Sequence, residues 1–444
     1  MRKSLIAALE EEQLLLSPVQ PDEVTAILIE MDDIANHLDA ANKSNDNDCV
    51  AYAAIGDVAE VMYEVMADDS LSQLDANILN TAIESICQLC ITLPSHTKIS
   101  LESTLSSNGR IVSATFAYES LMETLRDGWK KFLDFLASVW EWTEDLYNKI
   151  FYSANTLKLR ATSMLKAITD TNVTSIGNHS DKEYIENSSV FKALNVDGKI
   201  INHFAKIIGP DILGVLKESI DNVKQYVDNF DRIVGHSVSR EATKIIDMVD
   251  NFIIDKRIHP VTGSLTVGDP VKYGFNINTS RMEVSRKYAL PGNKSMFFIT
   301  PKTTYMSESP DMCDLAKDIE VRLSNREYTN KGDGKFPVMS RTENIDMLKL
   351  VISITDILID FEKTAIEINK VKKQFLKENS IEIMIANNPI INTTKFYKDL
   401  RNIVKYYSNT LDQPMNTLTP YCIRICKAMI KYSELSSEYK PSHI

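Results

Sequence analysis

Residues 117–151 read AYESLMETLRDGWKKFLDFLASVWEWTEDLYNKIF and contain all three tryptophans of the 444-residue chain. At about 100° per residue, the large apolar side chains fall on one wide face of a helix and the charged side chains fall on the other. Five residues of the apolar face form a candidate interaction face: Trp129, Phe132, Leu136, Trp140 and Tyr147. The stretch therefore predicts one long amphipathic helix that begins near Ser120.

Two kinds of surface could cover this apolar face. A strongly amphipathic, tryptophan-rich helix can lie in a membrane interface. However, residues 120–151 carry six acidic and four basic residues, whereas a membrane-seeking helix is usually rich in lysine and arginine. We therefore favour a helix docked on the chain's own core or on a partner subunit. A membrane-associating or pore-forming helical protein is the alternative.

The flanking regions predict a mostly α fold with an elongated, multi-helix body. Residues 1–102 have the pattern of short helices in an acidic segment. The Ser-, Thr- and Asn-rich residues 103–119 lack a clear period, which predicts an exposed linker. Residues 120–256 and 338–444 place apolar side chains at helical spacing, so we expect a Trp-bearing helical region and a C-terminal helical region.

Between these two helical regions, residues 257–337 have a different composition. They contain 12 of the chain's 28 glycines and prolines. The segments VKYGFNIN, MEVSRKYA and KSMFFIT read as short strands separated by turns such as LPGNK. The region therefore predicts a small mixed or β insert in a helical protein.

A helix start signal follows the insert. Ser340 and Glu343 have the spacing of a capping box. The next 40 or so residues carry apolar side chains at helical spacing, and their length predicts a helical-hairpin arm.

Charge is distributed unevenly along the chain. Residues 1–119 contain 20 acidic and 5 basic residues, whereas the remainder contains 41 acidic and 44 basic residues. Such asymmetry indicates different partners or different fates for the two parts. On charge alone, a small acidic helical domain at the start of the chain is the simpler explanation of this asymmetry.

Familiar catalytic and cofactor motifs are missing from the sequence. GDGK at 332–335 lacks the first glycine and the Ser/Thr of a P-loop. Cys87 and Cys90 form a C-x-x-C pair without a second pair at metal spacing, so we expect a helix that buries both thiols. We predict a protein that is not an enzyme and that uses no cofactor or metal.

Three stretches together resemble a known family. They are ISLESTLSSNG at 99–109, TFAYESLMETLRDGWKKFLDFLASVWEWTEDLYNKIF at 115–151 and LDQPMNTLTPYCIRICKAMIKYSELSSEY at 411–439. In order and spacing they are similar to the internal head proteins of giant phiKZ-like tailed bacteriophages. The resemblance implies a virion structural protein that is packed inside the capsid and carries no small-molecule substrate.

The resemblance also implies proteolytic maturation. Members of the family lose an N-terminal propeptide when a prohead protease cuts after glutamate in Ser/Ala-x-Glu. One such triplet lies at the start of the exposed stretch and another just before the Trp-bearing helix, and they supply the candidate processing residues Ser100, Leu101, Glu102, Ala117, Tyr118 and Glu119. Because cleavage needs an exposed, locally extended segment, accessibility favours Glu102 first and Glu119 second. The abrupt change in composition would then separate a propeptide from the mature protein.

The partners and location follow from the same resemblance. It implies other virion head proteins and the prohead protease as partners, with packaged phage DNA as a non-specific one. A membrane is not a favoured partner. The expected location is the capsid interior, after assembly in the host cytoplasm, with ejection into the host alongside the DNA as a further step.

Overall fold

A computed structural model of the protein describes residues 28–31, 33, 51, 54–67, 71–88, 97–100, 107–170, 184–238, 264–306, 311–325, 332, 334–378, 399 and 401–438. The helices are α1 (Gln73–Cys87), α2 (Ser107–Asp170), α3 (Ser188–Leu194), α4 (Phe204–Ile207), α5 (Gly209–Val238), α6 (Thr303–Met306), α7 (Met312–Ala316), α8 (Arg341–Glu378) and α9 (Gln413–Glu438). The strands are β1 (Tyr184–Glu186), β2 (Leu265–Thr266), β3 (Met282–Leu290), β4 (Lys294–Pro301), β5 (Glu320–Asn325) and β6 (Lys335–Pro337). The prediction of a mostly α fold with a small β-containing insert is confirmed.

Helix α2 is the longest element of the described chain. Its 64 residues span about 96 Å at the usual rise of an α-helix. It begins at Ser107, 13 residues before the predicted start, so most of the predicted linker 103–119 is helical. In residues 107–119, many polar side chains made the helical period hard to detect. Ile111 and Ala114 nevertheless continue the apolar face of α2. The Thr115 hydroxyl donates to the Ile111 carbonyl at 2.9 Å.

Helix α8 lies at the centre of a bundle with α2, α5 and α9. It runs antiparallel to α2, since Lys158 of α2 pairs with Asp356 at 2.8 Å while Glu144 pairs with Lys373 at 2.8 Å. Helix α5 starts against Leu350 of α8 and runs in the same direction. The apolar side chains of the four helices merge into one large cluster, which we call the main core.

Helix α9 also runs antiparallel to α8. Asp412, just before α9, contacts Lys372, and the Asn344 amide donates to the carbonyl of Ser433 at 3.2 Å near the other end. Residues 401–407 are helical and continue through a π-helical turn, Ser408–Asp412, into α9. The end of α9 reaches α2 as well, where Arg160 pairs with Glu434.

The capping box at the start of α8 is confirmed. The Glu343 carboxylate accepts from the Ser340 backbone N–H at 2.9 Å, and the Ser340 hydroxyl accepts from the Glu343 N–H at 3.3 Å. The predicted helical-hairpin arm is corrected to one continuous helix of 38 residues packed into the bundle. No glycine or proline occurs between 341 and 378, so nothing in the sequence turns the chain.

We expect the capping contribution of Glu343 to disappear in acid. Burial would raise the pKa of its carboxyl, but hydrogen bonds from Ser340 and from the His203 backbone N–H outweigh burial and hold that pKa below its usual value. Because the folded pKa is depressed, this stabilisation of about 1 kcal/mol is present above the unfolded pKa of about 4.3 and is lost as the pH falls through the folded pKa. Glu343→Gln should therefore destabilise the protein at neutral pH but not in strong acid.

Urea unfolding of Glu343→Gln and of wild type across this pH range measures the effect. The exposed Glu367→Gln on the same helix is the matched control. A stability difference for Glu343→Gln that stays constant down to about pH 3 would contradict the assignment.

The insert forms a four-stranded antiparallel sheet in the order β2-β3-β4-β5. MEVSRKYA and KSMFFIT are strands as predicted, and LPGNK is the turn between them, where Gly292 and Asn293 have φ of 65° and 55°. VKYGFNIN is not a strand: Pro270–Tyr273 form a 3₁₀ turn that ends at Gly274, whose φ is 79°. A two-stranded ribbon of β1 and β6 joins the end of the insert to residues 184–186 outside it.

The sheet docks on α5 through Tyr288 of β3. This residue has a φ of 68° at an irregularity in the β3–β4 register, and its ring faces Gly214, where an added β-carbon would lie 3.4 Å from the ring. Its hydroxyl donates to the Glu218 carboxylate, which also accepts from the Lys287 ammonium at 3.0 Å. Glycine has no β-carbon, so the Tyr288 ring lies close to the α5 backbone at position 214, and α5 and the insert pack closely.

Candidate functional site

Helix α2 carries two separate hydrophobic cores on one apolar face. Beyond the main core, a smaller amino-terminal cluster forms around its first turns. We define it by its buried members: Ile55, Ala59, Met62, Leu71, Ala76, Leu79, Ile86, Ile99, Ala114, Ala117, Tyr118, Leu121 and Met122. Described residues between 55 and 99 thus pack onto the part of α2 that contains the second candidate processing triplet, whereas Leu28 and Met31 belong to the main core.

The first candidate triplet begins at the edge of this cluster. Ser100 is exposed and lies outside any helix or strand, while Ile99 beside it is buried. The Asn80 side chain accepts from the Ile99 N–H at 2.8 Å and donates to its carbonyl at 2.9 Å. The Ser100 N–H donates to the Ser113 hydroxyl at 2.5 Å. Leu101 and Glu102 lie outside the described residues.

The second candidate triplet lies inside α2. Ala117 and Tyr118 are buried, and only Glu119 is exposed. Burial, with Tyr63 close by, raises the pKa of Tyr118 to about 12. The next residue, Ser120, shares a buried hydrogen bond of 2.8 Å with Thr97. A protease could reach the Glu119 bond only after these helical turns unfold.

The tryptophan face packs inside the protein. Phe132, Leu136, Trp140 and Tyr147 are all less than 9 % exposed and belong to the main core. The side chain of Trp129 lies outside the described part. At these four positions, the candidate interaction face therefore makes an intramolecular contact with α8 and its neighbours, which is one of the two kinds of docking that the sequence favoured. Among the helices described, none is both long and apolar enough to cross a bilayer.

A buried ion pair, which the sequence did not reveal, lies beside this face. The Lys372 ammonium is 2.5 Å from the Asp412 carboxylate, and both side chains are almost fully buried. The same ammonium lies 5.4 Å from the centre of the Trp140 ring. Burial, with Asp412 close by, raises the pKa of Tyr147 well above its usual value. The pair joins α8 to the π-helical turn before α9.

The cysteines show little sign of chemistry. Cys422 and Cys426 are fully buried in α9. Cys87 is exposed, so the prediction that a helix buries its thiol is wrong. Cys90 lies outside the described residues.

Within the described chain, one group of side chains could bind a metal ion: the ligand atoms of Asp311, Cys313 and Asp399 lie within 4.8 Å of one another. Asp311 already accepts from two backbone N–H groups as the N-cap of α7.

A cavity of about 200 Å³ lies between α4 and the start of α8. Its ionisable side chains pair with one another: His203 Nδ1 lies 3.1 Å from Glu343, and the Lys206 ammonium lies 3.2 Å from Asp346. The ionisable side chains of the cavity wall thus pair with one another, which indicates a structural role for these four residues.

Comparison with protein families matches residues 22–435 to the phiKZ-like phage internal head proteins. Neither a curated protein nor a solved structure gives a match. The matched range includes both cores, the insert and nearly all of α9. The chain therefore belongs to the phiKZ-like phage internal head protein family.

Proposed function

We propose that this virion structural protein is cut after Glu102 during head maturation, and that residues 103–444 remain in the capsid and enter the host with the DNA. Family membership supports the location in the capsid interior. The cleavage site is favoured by the contrast between the two triplets. Ser100 is exposed and outside regular structure, whereas Ala117 and Tyr118 are buried in a helix. Proteases act on exposed, locally extended segments.

Charge supports the same division of the chain. Residues 1–102 contain 19 acidic and 4 basic residues, a net charge of −15. Residues 103–444 contain 42 acidic and 45 basic residues, a net charge of +3. Removal of the first part leaves a body that packaged DNA does not repel, and non-specific contact with phosphates needs no defined site.

The N-terminus and intact mass of the protein from purified particles test the proposal. We expect the packaged chain to start at Ser103. Glu102→Gln should block processing, whereas Glu119→Gln, the matched control in α2, should leave it unchanged. A start at Ser120, or an intact Met1 form in particles, would rule out cleavage after Glu102. Recovery of the processed chain from newly infected cells tests its entry into the host.

A further inference from the structure

We infer that removal of residues 1–102 uncovers a self-association surface on α2, on which a second copy of the processed chain packs antiparallel. This inference rests on the proposed cleavage after Glu102. The surface comprises Ile111, Ala114, Tyr118, Leu121 and Leu125, which we call the α2 seam. In the unprocessed chain, the members of the amino-terminal cluster that precede residue 100 cover the seam. The first part of the chain then acts as a removable cover.

Cleavage converts this cover into a separate molecule. Before cleavage, the cover is tethered to α2, so its effective concentration at the seam is on the order of millimolar. After cleavage, the contact becomes bimolecular and depends on the free concentration of the fragment. The hydrogen bond between the Thr97 and Ser120 hydroxyls, the one from the Ser100 N–H to Ser113 and the Glu30–Lys149 ion pair then also belong to that bimolecular contact. Dilution should therefore release the fragment.

The uncovered part of α2 has almost no charge for a solvent-exposed helix, and apolar side chains lie on both its inner and outer sides. Between 111 and 122, Glu119 is the single charged residue. Val112 and Phe116 are already 56 % and 60 % exposed with the cover in place. A helix that is apolar on most sides is normally buried against partners. Loss of the cover thus leaves a segment that needs a new partner.

The spacing of the seam favours another helix with the same pattern. Its members follow steps of three, four, three and four residues, which is the heptad spacing of a left-handed helix pair. An antiparallel two-fold axis between Glu119 and Ser120 sets Tyr118 against Leu121 and Ala114 against Leu125 of the second copy. Each layer then joins a larger side chain to a smaller one, as close packing requires.

The flanks of the seam also accept a second copy. The flanking positions from 115 to 124 are Thr115, Ala117, Met122 and Thr124, and none is charged. Two copies can therefore pack without bringing like charges together across the seam. In a two-fold contact, the same surface of each copy contacts the other, so the seam must be complementary to itself. A seam of two heptads is smaller than a standard interface of about 800 Å² per partner, so the dimer should be weak and depend on concentration.

The test uses the full chain with the recognition site of a sequence-specific protease inserted between Glu102 and Ser103. Light scattering after size exclusion should give the monomer mass before cleavage. After cleavage and separation from the fragment, the mass should rise towards twice that of the processed chain as the protein concentration is raised. Processed Leu121→Glu should stay monomeric, because a carboxylate would enter the seam. Phe116→Glu, on the outer side of the same helix, should still dimerise.

A disulfide test does not depend on the folding of Leu121→Glu. The processed double variant Ala114→Cys/Leu125→Cys should form covalent dimers on oxidation, whereas neither single variant should. Cys87 leaves with the fragment, and Cys313, Cys422 and Cys426 are buried. Cross-linking by a single variant, or none by the double variant, would contradict the antiparallel register.

Three other results would overturn the inference: co-elution of the fragment with the processed chain, a monomer at every concentration, or binding of the processed chain to phosphatidylcholine vesicles in place of dimerisation. The inserted site makes these readouts independent of the phage protease. The N-terminus of the protein in particles decides the cleavage proposal separately.

Discussion

Replacing Lys372 with methionine should lower the free energy of unfolding by about 3–5 kcal/mol, because the substitution leaves the buried Asp412 carboxylate without its cation. The two groups are 2.5 Å apart and only 5 % and 6 % exposed. A buried charge without a partner costs far more than the lost attraction of an exposed pair. Urea unfolding followed by tryptophan fluorescence measures the change, since Trp140 lies beside the ion pair.

The adjacent lysine is the matched control. Lys373 is 68 % exposed and pairs with Glu144 at 2.8 Å, so Lys373→Met should cost only about 0.2–1 kcal/mol. The double variant Lys372→Met/Asp412→Leu should regain most of the stability lost in Lys372→Met, because it leaves no buried charge unpaired. Equal stability of the two lysine variants would show that Lys372 and Asp412 do not form a buried pair in solution.

This ion pair shows what the sequence could not reveal. Lys372 lies within NKVKKQFLK, a stretch whose lysines suggest a solvated helix face. Lys373 does lie on such a face, but Lys372 is turned by about 100° towards the bundle. Its partner comes 40 residues later in the chain. Helical periodicity shows which side of a helix is buried, but it does not identify the residue from elsewhere in the chain that contacts that side.

The same limit explains the start of α2. A clear apolar period predicted a helix from Ser120, whereas the turns from Ser107 begin with Ser, Asn, Gly and Arg and also carry Ser113 and Thr115. Their apolar side chains become a helix face because described residues between 54 and 99 pack on them. Tertiary contact thus determines the helix start, so local composition suggested a linker.

Strand prediction succeeded where contacts are local. The strands β3 and β4 are joined by a short turn; β4 contains a buried apolar run, and β3 begins with an alternation in which Met282 and Val284 are buried on either side of Glu283. The three-residue strand β1 pairs with β6 about 150 residues later. Such a short strand has no periodicity to detect, and its pairing depends on how the helices bring the two segments together.

The tryptophan face was located correctly on α2, but its partner was left open between the chain's own core, another subunit and a membrane. The burial of Phe132 and Trp140 supplies the answer for the main core. The first turns of α2 differ, because a segment proposed to be removed covers them. One helix therefore presents a permanent interface along most of its length and a proposed temporary one at its start.

Phe361→Ala should destabilise the main core by about 3–5 kcal/mol through the cavity that it leaves. Phe361 is 1 % exposed on α8, and its ring meets Tyr147 edge-on at 5.5 Å and Phe151 at 6.3 Å. The ring thus fills the space between α8 and α2 at the middle of their antiparallel contact. Removing it deletes both apolar burial and aromatic contacts.

The effect should be confined to the main core, because the amino-terminal cluster shares no buried residue with it. Tryptophan fluorescence in urea reports on the main core, because Trp140 belongs to it. Circular dichroism in urea reports on the helices of both parts. Ile366→Ala is the matched control: it is 63 % exposed on the same helix and should change stability by no more than about 0.5 kcal/mol. If Phe361→Ala behaved like Ile366→Ala, α8 would not be packed on α2 through this ring. The long helix would then lose the contact that buries its tryptophan face, and the case for a permanent interface would fail with it.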